Sequence, residues 1–429
     1  MNIAVIGSGY TGLVTGACFS DLGNRVVCID NDCEKINKLK NGIVPIYEPG
    51  LEPLITLNMN EGRLTFTDSI EEGIKDSEVI FICVGTPPKE NGEADLSSIE
   101  NVASCLSKSI KGYKLIVEKS TVPVGTADWM ESIIKKYLPD DACFDLAVNP
   151  EFLREGSAIY DFVHPDRIVI GASSEKAISI LSKLYKPIAV PILIVDIKSA
   201  ELIKYASNIF LSIKISFANG LARICDLAGC DIAEVTKGVG LDKRIGEDFL
   251  KAGVGYGGSC LPKDISAFIH ISEKLGYDFP LLKATKEINE TQRLYFIKKA
   301  EDAIGSLSGK TIGILGLSFK PDTDDIREAP SLKIIEILLK KGANIKAYDP
   351  CAIEKTRIIF PQITYCNDPY EVSRNSHLLM IITEWKEFSQ LDLLRIKSLL
   401  KNPVIIDGRN MFEPSKMRNL GFIYKGIGR

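Results

Sequence analysis

The sequence of 429 residues predicts an α/β protein with two doubly wound domains joined by a helical segment that contains a long central helix. Three observations support this fold class. A glycine-rich turn near the N-terminus lies between an apolar strand and a helix, strand and helix patterns alternate after it, and a partial copy of the first strand and turn begins at residue 311. The predicted domains are residues 1–198, 199–307 and 308–429.

The first element of the chain is a phosphate-binding turn. An apolar run at residues 3–6 ends in Gly7-Ser8-Gly9-Tyr10-Thr11-Gly12, a helical pattern follows, and Asp30 closes the second strand. In this context the glycines let the backbone approach a pyrophosphate, which lies at the helix N-terminus. An acidic residue at position 30 accepts hydrogen bonds from ribose hydroxyls and disfavours a 2′-phosphate. The turn therefore predicts a domain that binds NAD rather than NADP.

Further strand patterns lie at residues 78–84, 115–118, 145–148 and 167–170, with helical patterns between several of them. The first three strands lead into loops at residues 85–88, 119–123 and 149–155. Ligands of open parallel sheets bind beyond the carboxyl ends of the strands. These loops are therefore candidate binding sites.

A single long helix is predicted from residue 199 to about residue 228, and more helix follows to about residue 304. Apolar residues recur on the long helix at spacings of three and four, at Ile203, Ala206, Phe210, Ile213, Phe217, Gly220 and Ile224. This spacing predicts one buried stripe that links domains or packs against a partner. Lys204 and Asn208 project side by side at the margin of the stripe, and a solvated lysine beside a surface asparagine is the alternative interpretation.

The second doubly wound domain begins with the partial copy. Gly316 aligns with Gly7, and Asp349 aligns with Asp30, with about ten extra residues between the aligned positions. The copy lacks the full glycine pattern. We therefore expect that it does not bind a dinucleotide in the same way.

Cys260 lies in Gly257-Gly258-Ser259-Cys260-Leu261-Pro262-Lys263-Asp264, just before a helical pattern. Proline favours the first turn of a helix, which places Cys260 at the N-terminus. There the helix dipole and the Lys263 charge favour the thiolate. The alternatives are a merely small N-terminal residue for Cys260 and a helix cap for Asp264. Among eleven cysteines this one has the activating setting, so the interpretation as a nucleophile is preferred.

The composition argues against several classes of protein. Lys plus Arg number 52 and Asp plus Glu number 56, so the net charge of −4 argues against nucleic acid as a partner. No apolar run approaches the ~20 residues that span a bilayer, and a signal-peptide pattern is lacking. The three histidines, His164, His270 and His377, are scattered and Cys-x-x-Cys does not occur, so no metal is expected. We expect a soluble protein in the cytoplasm.

The chain resembles, over its whole length, the nucleotide-sugar dehydrogenases and among them the UDP-glucose 6-dehydrogenases. The resemblance lies in VGTP, STVPVGT, NPEFLREG, DFVHPDRIVIG, ELIKYASN, RIGEDFLKAGVGYGGSCLPKD and GLSFKPDTDDIRE. It implies an NAD-dependent oxidation of the C6 alcohol of UDP-glucose to a carboxylate, through a thiohemiacetal and a thioester on Cys260, for polysaccharide precursor synthesis. Thr11 replaces the usual valine. Leu261 replaces a phenylalanine common in UDP-glucose enzymes, so GDP-mannose and UDP-N-acetylhexosamines remain alternative substrates.

The same resemblance implies catalytic roles. Lys204 and Asn208 stabilise the developing oxyanion, and Lys204 can accept the alcohol proton. Asp264 orders a water near Lys204. Glu151 acts as a base or orients water for thioester hydrolysis, and Thr121 helps to hold this water and the nicotinamide.

The resemblance also implies binding residues. Those for NAD are Gly7, Gly9, Tyr10, Thr11, Gly12, Asp30, Lys35, Thr86, Thr121, Glu155, Lys263 and Arg327. Those for the nucleotide sugar are Glu151, Phe152, Leu153, Arg154, Glu155, Lys204, Asn208, Phe249, Leu250, Lys251, Ala252, Gly253, Gly257, Lys320 and Arg409. Arg244 is similar to an arginine that reaches the other subunit's substrate across a homodimer interface. The alternatives are helix capping for Thr121 and surface solvation for Lys320, Arg327 and Arg409.

Two other classes of protein share parts of this pattern. A single-step hydroxyacid dehydrogenase would have no use for Cys260 and would yield one NADH per substrate. A silent NAD-binding scaffold would lack some of the catalytic positions, all of which are filled here.

Overall fold

The computed structural model describes residues 1–429. The chain forms two compact units. The N-terminal unit is Met1–Ser207 with Ser266–Ile271, and the C-terminal unit is Asn208–Ile265 with Ser272–Arg429. The division into three domains stays a prediction.

The N-terminal unit contains an eight-stranded sheet with the order β3-β2-β1-β4-β5-β6-β7-β8. Its strands are β1 (Asn2–Ile6), β2 (Arg25–Ile29), β3 (Leu64–Thr67), β4 (Val79–Ile82), β5 (Gly112–Glu118), β6 (Ala142–Val148), β7 (Ile168–Ala172) and β8 (Ile192–Val195). All neighbours are parallel except β6 and β7, which are antiparallel. The chain order reverses between β1 and β4, which is where open sheets bind ligands.

Helices cover this sheet. They are α1 (Tyr10–Asp21), α2 (Cys33–Lys40), α3 (Leu51–Asn60), α4 (Ile70–Ile74), α5 (Ser97–Ser109), α6 (Thr126–Lys136), α7 (Ala158–Val163) and α8 (Glu175–Tyr185), followed by a 3-10 turn at Lys186–Ile188. Ile3 and Val5 of β1 enter one apolar cluster, and Ala4 and Ile6 enter another. Because side chains alternate along a strand, both faces of the sheet are buried.

Four helices follow in sequence before the second sheet, namely α9 (Ile197–Ala228), α10 (Ile232–Gly240), α11 (Leu261–Lys274) and α12 (Pro280–Ile304). Pro280 lies in the first turn of α12, where its missing N–H costs no helical hydrogen bond. Helix α9 is 32 residues long, and it ends at the predicted residue. No helix in the chain combines the length and the apolar character needed to cross a membrane.

The C-terminal unit contains a fully parallel six-stranded sheet with the order β11-β10-β9-β12-β13-β14. Its strands are β9 (Thr311–Leu315), β10 (Asn344–Tyr348), β11 (Thr364–Tyr365), β12 (Leu378–Ile381), β13 (Val404–Asp407) and β14 (Ile423–Lys425). Its helices are α13 (Pro330–Lys340), α14 (Ile353–Ile359), α15 (Pro369–Ser373), α16 (Leu393–Leu399) and α17 (Pro414–Asn419), with a 3-10 turn at Lys386–Gln390.

The predicted fold class is confirmed, since two doubly wound sheets and a long helix are present. The four predicted strands exist with ends shifted by a few residues. The sequence analysis missed β3 and β8, which are only four residues each. The antiparallel pairing of β6 with β7 was also not predicted, because strand direction depends on the path between strands and not on their composition.

The predicted apolar stripe of α9 is not covered by its own chain, and packing of the stripe against a partner stays a prediction. Phe210, Phe217 and Ile224 are 61%, 51% and 59% exposed. The buried positions lie on a neighbouring, more polar face, where the Ser216 hydroxyl donates to the Thr285 carbonyl at 2.9 Å. Small polar side chains allow close approach of neighbouring segments. Periodicity alone does not tell whether an apolar stripe is covered by its own chain or by another one.

The first turn of the C-terminal unit is closed by its own side chains. The Asp349 carboxylate accepts hydrogen bonds from the Leu317 and Ser318 amides and from the Trp385 indole, at 2.7, 3.1 and 3.1 Å. A Cβ atom on Gly316 would lie 2.5 Å from the Thr383 nitrogen. The aligned aspartate is therefore held by side chains and amides of its own domain, and the expectation that this copy does not bind a dinucleotide as the first one does stays a prediction.

Candidate active site

A cavity of about 1010 Å³ opens at the carboxyl ends of β1, β2 and β4. Gly7, Gly9 and Asp30 line it. A Cβ atom on Gly12 would lie only 1.7 Å from the Gly7 carbonyl oxygen, so α1 can start this close to the turn only with glycine there. A Cβ on Gly9 would meet no atom within 4 Å, which leaves the N-terminus of α1 open. This geometry fits the pyrophosphate of NAD.

Asp30 lies at the end of β2 in the wall of the cavity. Its carboxylate accepts hydrogen bonds from the Ser8 amide at 2.8 Å and from the Lys35 ammonium at 2.9 Å. The structure thus brings together two residues that the sequence analysis assigned to NAD. Asp68 and Glu71 add further acidic groups to the same wall. This negative charge favours ribose hydroxyls over a 2′-phosphate.

The loops at the end of this sheet are tied together by hydrogen bonds. The Thr86 hydroxyl donates to the Thr121 carbonyl at 2.7 Å. The Gly156 amide donates to the Tyr10 hydroxyl at 2.9 Å and to the Glu48 carboxylate at 2.6 Å. Glu48 was missed in the sequence analysis, because no motif connects it with residues more than 100 positions away. These bonds hold the predicted NAD-binding residues in one framework.

Lys204 and Glu151 form a buried ion pair with an Nζ–Oε1 distance of 2.9 Å. Glu151 also accepts the Leu153 amide at 2.6 Å. Burial alone would raise the pKa of Glu151, but the Lys204 cation and these hydrogen bonds lower it below its usual value. The Lys204 ammonium lies 5.3 Å from the centre of the Phe152 ring. The solvated lysine considered as an alternative is therefore excluded.

Asn208, one turn after Lys204 on α9, belongs to a second polar cluster. Its side-chain amide donates to the Asp264 carboxylate at 2.6 Å, and the Lys263 ammonium donates to the other carboxylate oxygen at 2.6 Å. Asn208 and Asp264 are both buried. Asp264 is thus not a simple helix cap, and its charge is held between an amide and a cation.

Cys260 directly precedes α11, and its carbonyl accepts the Asp264 amide at 2.8 Å, which closes the first helical turn. The Ser259 hydroxyl lies 3.6 Å from the Cys260 sulfur. Gly258 has a φ of +85°, and its amide donates to the Arg327 carbonyl at 2.9 Å. The glycine-rich segment therefore fixes the approach of the chain to Cys260. Its position at a helix N-terminus is confirmed.

The segment that leads to Cys260 is held by its backbone. The Gly253 amide donates to the Asn219 side chain at 2.8 Å, and its carbonyl accepts from the Gln292 side chain at 2.9 Å. The Tyr256 amide donates to the Asn289 side chain at 2.8 Å. These three amide side chains come from α9 and α12 and were not predicted. Single polar residues on helices do not form a sequence motif, so nothing in the sequence indicated that these three contact the segment before Cys260.

The predicted arginines of the C-terminal unit differ in their surroundings. Arg409 is mostly buried and donates to the Ile382 carbonyl at 2.7 Å, so surface solvation does not describe it. Arg327 and Arg244 are largely exposed and pair with the neighbouring Asp325 and Asp242, each at 2.6 Å. Their roles in binding stay predictions.

The predicted residues are divided between the two units. The N-terminal unit contains Gly7, Gly9, Tyr10, Thr11, Gly12, Asp30, Lys35, Thr86, Thr121, Glu151, Phe152, Leu153, Arg154, Glu155 and Lys204. The C-terminal unit contains Asn208, Arg244, Phe249, Leu250, Lys251, Ala252, Gly253, Gly257, Cys260, Lys263, Asp264, Lys320, Arg327 and Arg409. No group of three or more histidine, cysteine, aspartate or glutamate side chains has an arrangement that could hold a metal ion.

Three family models match the chain in order. They describe the NAD binding domain, the central domain and the UDP binding domain of the UDP-glucose/GDP-mannose dehydrogenase family, and they match residues 1–189, 198–291 and 313–414. A UDP-glucose 6-dehydrogenase of Bacillus subtilis is 49% identical over 428 residues, which cover 100% of this chain and 93% of that protein. One from Pseudomonas aeruginosa is 45% identical and is covered to 98%.

Solved structures give the same result for the fold. A UDP-glucose dehydrogenase from Pyrobaculum islandicum has a TM-score of 0.93 and 40% identity, with 100% of this chain and 97% of that chain covered. A UDP-D-ManNAc dehydrogenase from Pyrococcus horikoshii has a TM-score of 0.88 and 29% identity, with 100% and 99% covered.

Proposed function

The chain belongs to the UDP-glucose/GDP-mannose dehydrogenase family, and on this premise we propose that it oxidises UDP-glucose to UDP-glucuronate by way of covalent intermediates on Cys260. It is an NAD-dependent dehydrogenase, and its UDP-glucose 6-dehydrogenase relatives match it along the full chain. Bound NAD accepts a hydride in each of two oxidations. The observation that carries the covalent route is the position of Cys260 at the N-terminus of α11, where a thiolate is stabilised.

The first oxidation removes a proton and a hydride from the C6 alcohol and leaves an aldehyde. Lys204 and Asn208 lie one turn apart on α9 and supply two hydrogen-bond donors for the oxygen that becomes negative. The Glu151 carboxylate, 2.9 Å from Lys204, can take the alcohol proton through the lysine. Preorganised donors lower the barrier because they need not reorient during the reaction.

The second oxidation requires the sulfur of Cys260. The thiolate adds to the aldehyde carbon and forms a C–S bond, which gives a thiohemiacetal. Loss of a second hydride converts it to a thioester. Water then adds to the thioester, Glu151 accepts a proton from this water, and the C–S bond breaks to release the carboxylate and the thiolate. Two hydrides, or four electrons, leave the sugar in total.

The choice of sugar rests on the matched UDP binding domain and on sequence identity. The match to a UDP binding domain favours a uridine nucleotide. The similarity to a UDP-D-ManNAc dehydrogenase and the leucine at position 261 keep the N-acetylhexosamine and GDP-mannose alternatives in view. Identity with the UDP-glucose enzymes is higher, at 40% or more compared with 29%.

We predict that the enzyme forms two NADH per UDP-glucose consumed, because both oxidations occur before the product leaves Cys260. The measurement is the total NADH absorbance at exhaustion of limiting sugar, for UDP-glucose, GDP-mannose and UDP-N-acetylhexosamines. One NADH per sugar would contradict the thioester route and would fit a single-step dehydrogenase. Turnover of another nucleotide sugar in place of UDP-glucose would contradict the substrate assignment.

We also propose that the chain forms a homodimer through the exposed stripe of α9. Phe210, Phe217 and Ile224 are more than half exposed and share one face of a long helix. Exposed apolar patches of this kind mark protein interfaces. A second copy of the chain suits the stripe because a twofold axis pairs the same surface with itself.

Light scattering should give the mass of a dimer at micromolar concentration. We expect Phe217→Glu to shift the protein to monomer, because a charge would be buried in the interface. Ile358→Glu is a matched control, since Ile358 is an 83% exposed apolar residue of α14 and lies outside α9. A monomeric unmodified protein, or a Phe217→Glu dimer of undiminished stability, would contradict the proposal.

We further propose that the enzyme works in the cytoplasm and supplies UDP-glucuronate for polysaccharide synthesis. All eleven cysteines are free, which suits a reducing compartment.

A further inference from the structure

Lys119 is a buried cation that the mechanism above does not use. It follows β5 and is 4% exposed. Its ammonium donates to the Asn149 side-chain oxygen at 2.9 Å and lies 3.4 Å from both the Asn149 carbonyl and the Tyr185 hydroxyl. Burying a charge is costly unless it is paired, and a hydrophobic residue would fit such a site at less cost. A cation kept there needs a reason beyond packing.

The hydrogen bonds of Lys119 converge on the residue that begins the Glu151 loop. The Asn149 side-chain oxygen accepts from both Lys119 and the Tyr185 hydroxyl, the latter at 2.5 Å. The Asn149 side-chain amide donates to the Val169 carbonyl at 2.8 Å. Three elements therefore fix Asn149, which lies two residues before Glu151. The loop that carries Glu151 therefore begins at a firmly held residue.

The charge of Lys119 acts on the ion pair of Glu151 and Lys204. The groups that face its ammonium are the Cys83 thiol after β4, Tyr185 on α8, Glu151 after β6 and Lys204 on α9. Its cation lowers the pKa of Glu151, in addition to the larger effect of Lys204. Burial and the like charge of Lys204 lower the pKa of Lys119 itself to about 8, although the Glu151 carboxylate opposes this.

We propose that Lys119 is a positioning residue that fixes the Glu151 loop through Asn149 and sets the protonation of the Glu151–Lys204 pair with its buried charge. This inference rests on the proposed catalytic role of that pair. When Lys119 is charged, Glu151 is held as the carboxylate that takes a proton, and a second cation lies near Lys204. When Lys119 is neutral, both effects are lost together.

The test compares the pH dependence of kcat for unmodified enzyme and Lys119→Met, using full-length protein, NAD and UDP-glucose. Below about pH 7 we expect Lys119→Met to be roughly tenfold slower, with KM for UDP-glucose nearly unchanged, because the charged hydrogen bond to Asn149 and the cation beside Glu151 are lost together. Above about pH 9 the difference should shrink without vanishing, since Lys119 of the unmodified enzyme is then largely neutral but still donates a hydrogen bond to Asn149. Methionine has a similar length and removes the cost of a buried charge, so the variant should fold.

Tyr185→Phe is the matched control, because it removes the other hydrogen bond to the same Asn149 oxygen and leaves the charge in place. The ratio of kcat for Tyr185→Phe to kcat for the unmodified enzyme should be the same at every pH. The inference is overturned if the kcat of Lys119→Met relative to the unmodified enzyme is also constant with pH, or equals one at every pH. If Lys119→Met does not fold, Lys119→Gln, which keeps a hydrogen-bond donor and removes the charge, is measured in its place, and a ratio of kcat values that is constant with pH again overturns the inference. Absence of any NADH from UDP-glucose with unmodified enzyme would instead refute the proposed function.

Discussion

Cys260→Ser should lower NADH formation from UDP-glucose by about 10³-fold and should end the two-to-one ratio of NADH to sugar. A serine hydroxyl has the shape to fit at the start of α11, but it does not ionise near neutral pH, so the helix N-terminus cannot provide a ready nucleophile. The aldehyde would then have no covalent route to the carboxylate. Steady-state NADH production and the final sugar product, measured together, check this prediction.

Binding of UDP-glucose by Cys260→Ser should be preserved, because the hydrogen bonds of the 249–257 segment involve its backbone and not the sulfur. Titration calorimetry with UDP-glucose tests this. Cys230→Ser is a suitable control, since Cys230 is an exposed free cysteine in the same unit and should behave like the unmodified enzyme. Complete oxidation by Cys260→Ser at a rate near that of the control would refute the covalent mechanism.

Lys204→Met should lower kcat by about 10³-fold and the free energy of unfolding by about 3–5 kcal/mol. The first loss comes from a missing donor to the developing oxyanion. The second comes from Glu151, whose carboxylate remains buried without its main partner. Burial then raises the pKa of Glu151, so the proton is bound more tightly in the folded state. Stability should therefore fall as pH rises from about 5 to 8.

The double variant Lys204→Met/Glu151→Gln separates the two effects, because glutamine carries no charge to be left unpaired. We expect it to regain most of the stability and none of the activity. Urea unfolding at about pH 5 and about pH 8 measures the stability, and NADH formation measures the activity. If Lys204→Met were as stable as the unmodified protein at both pH values, the ion pair would not be the buried contact that the geometry implies. If it kept full activity, Lys204 would have no catalytic role.

The parts of the site that could be predicted are those written in short stretches of sequence. The turn at residues 7–12 and Asp30 lie within one strand–helix–strand unit, so their spacing already implies a phosphate site. Cys260 and its first helical turn are likewise contiguous. In each of these cases local geometry follows from a few neighbouring residues, and the structure agrees.

The residues that escaped prediction meet across long stretches of chain. Lys119 reaches Tyr185 across 66 residues, and Gln292 reaches Gly253 across 39. A lone buried lysine or glutamine has no periodicity, and only the packed fold shows what it contacts. For the stripe of α9, the spacing identified an apolar face but did not tell whether the same chain covers that face.

The closed turn of the C-terminal unit has a consequence for the timing of the reaction. The Asp349 carboxylate, which aligns with Asp30, accepts the Trp385 indole N–H at 3.1 Å. If the N-terminal turn alone binds NAD, that turn serves both oxidations of the proposed route. On the proposed route, NADH would then be exchanged for NAD while the sugar is half oxidised. The proposed bond to Cys260 would retain the sugar during this exchange. The lifetime of the tethered intermediate must therefore exceed the cofactor's residence time, and excess NADH should slow the second oxidation by competing with NAD.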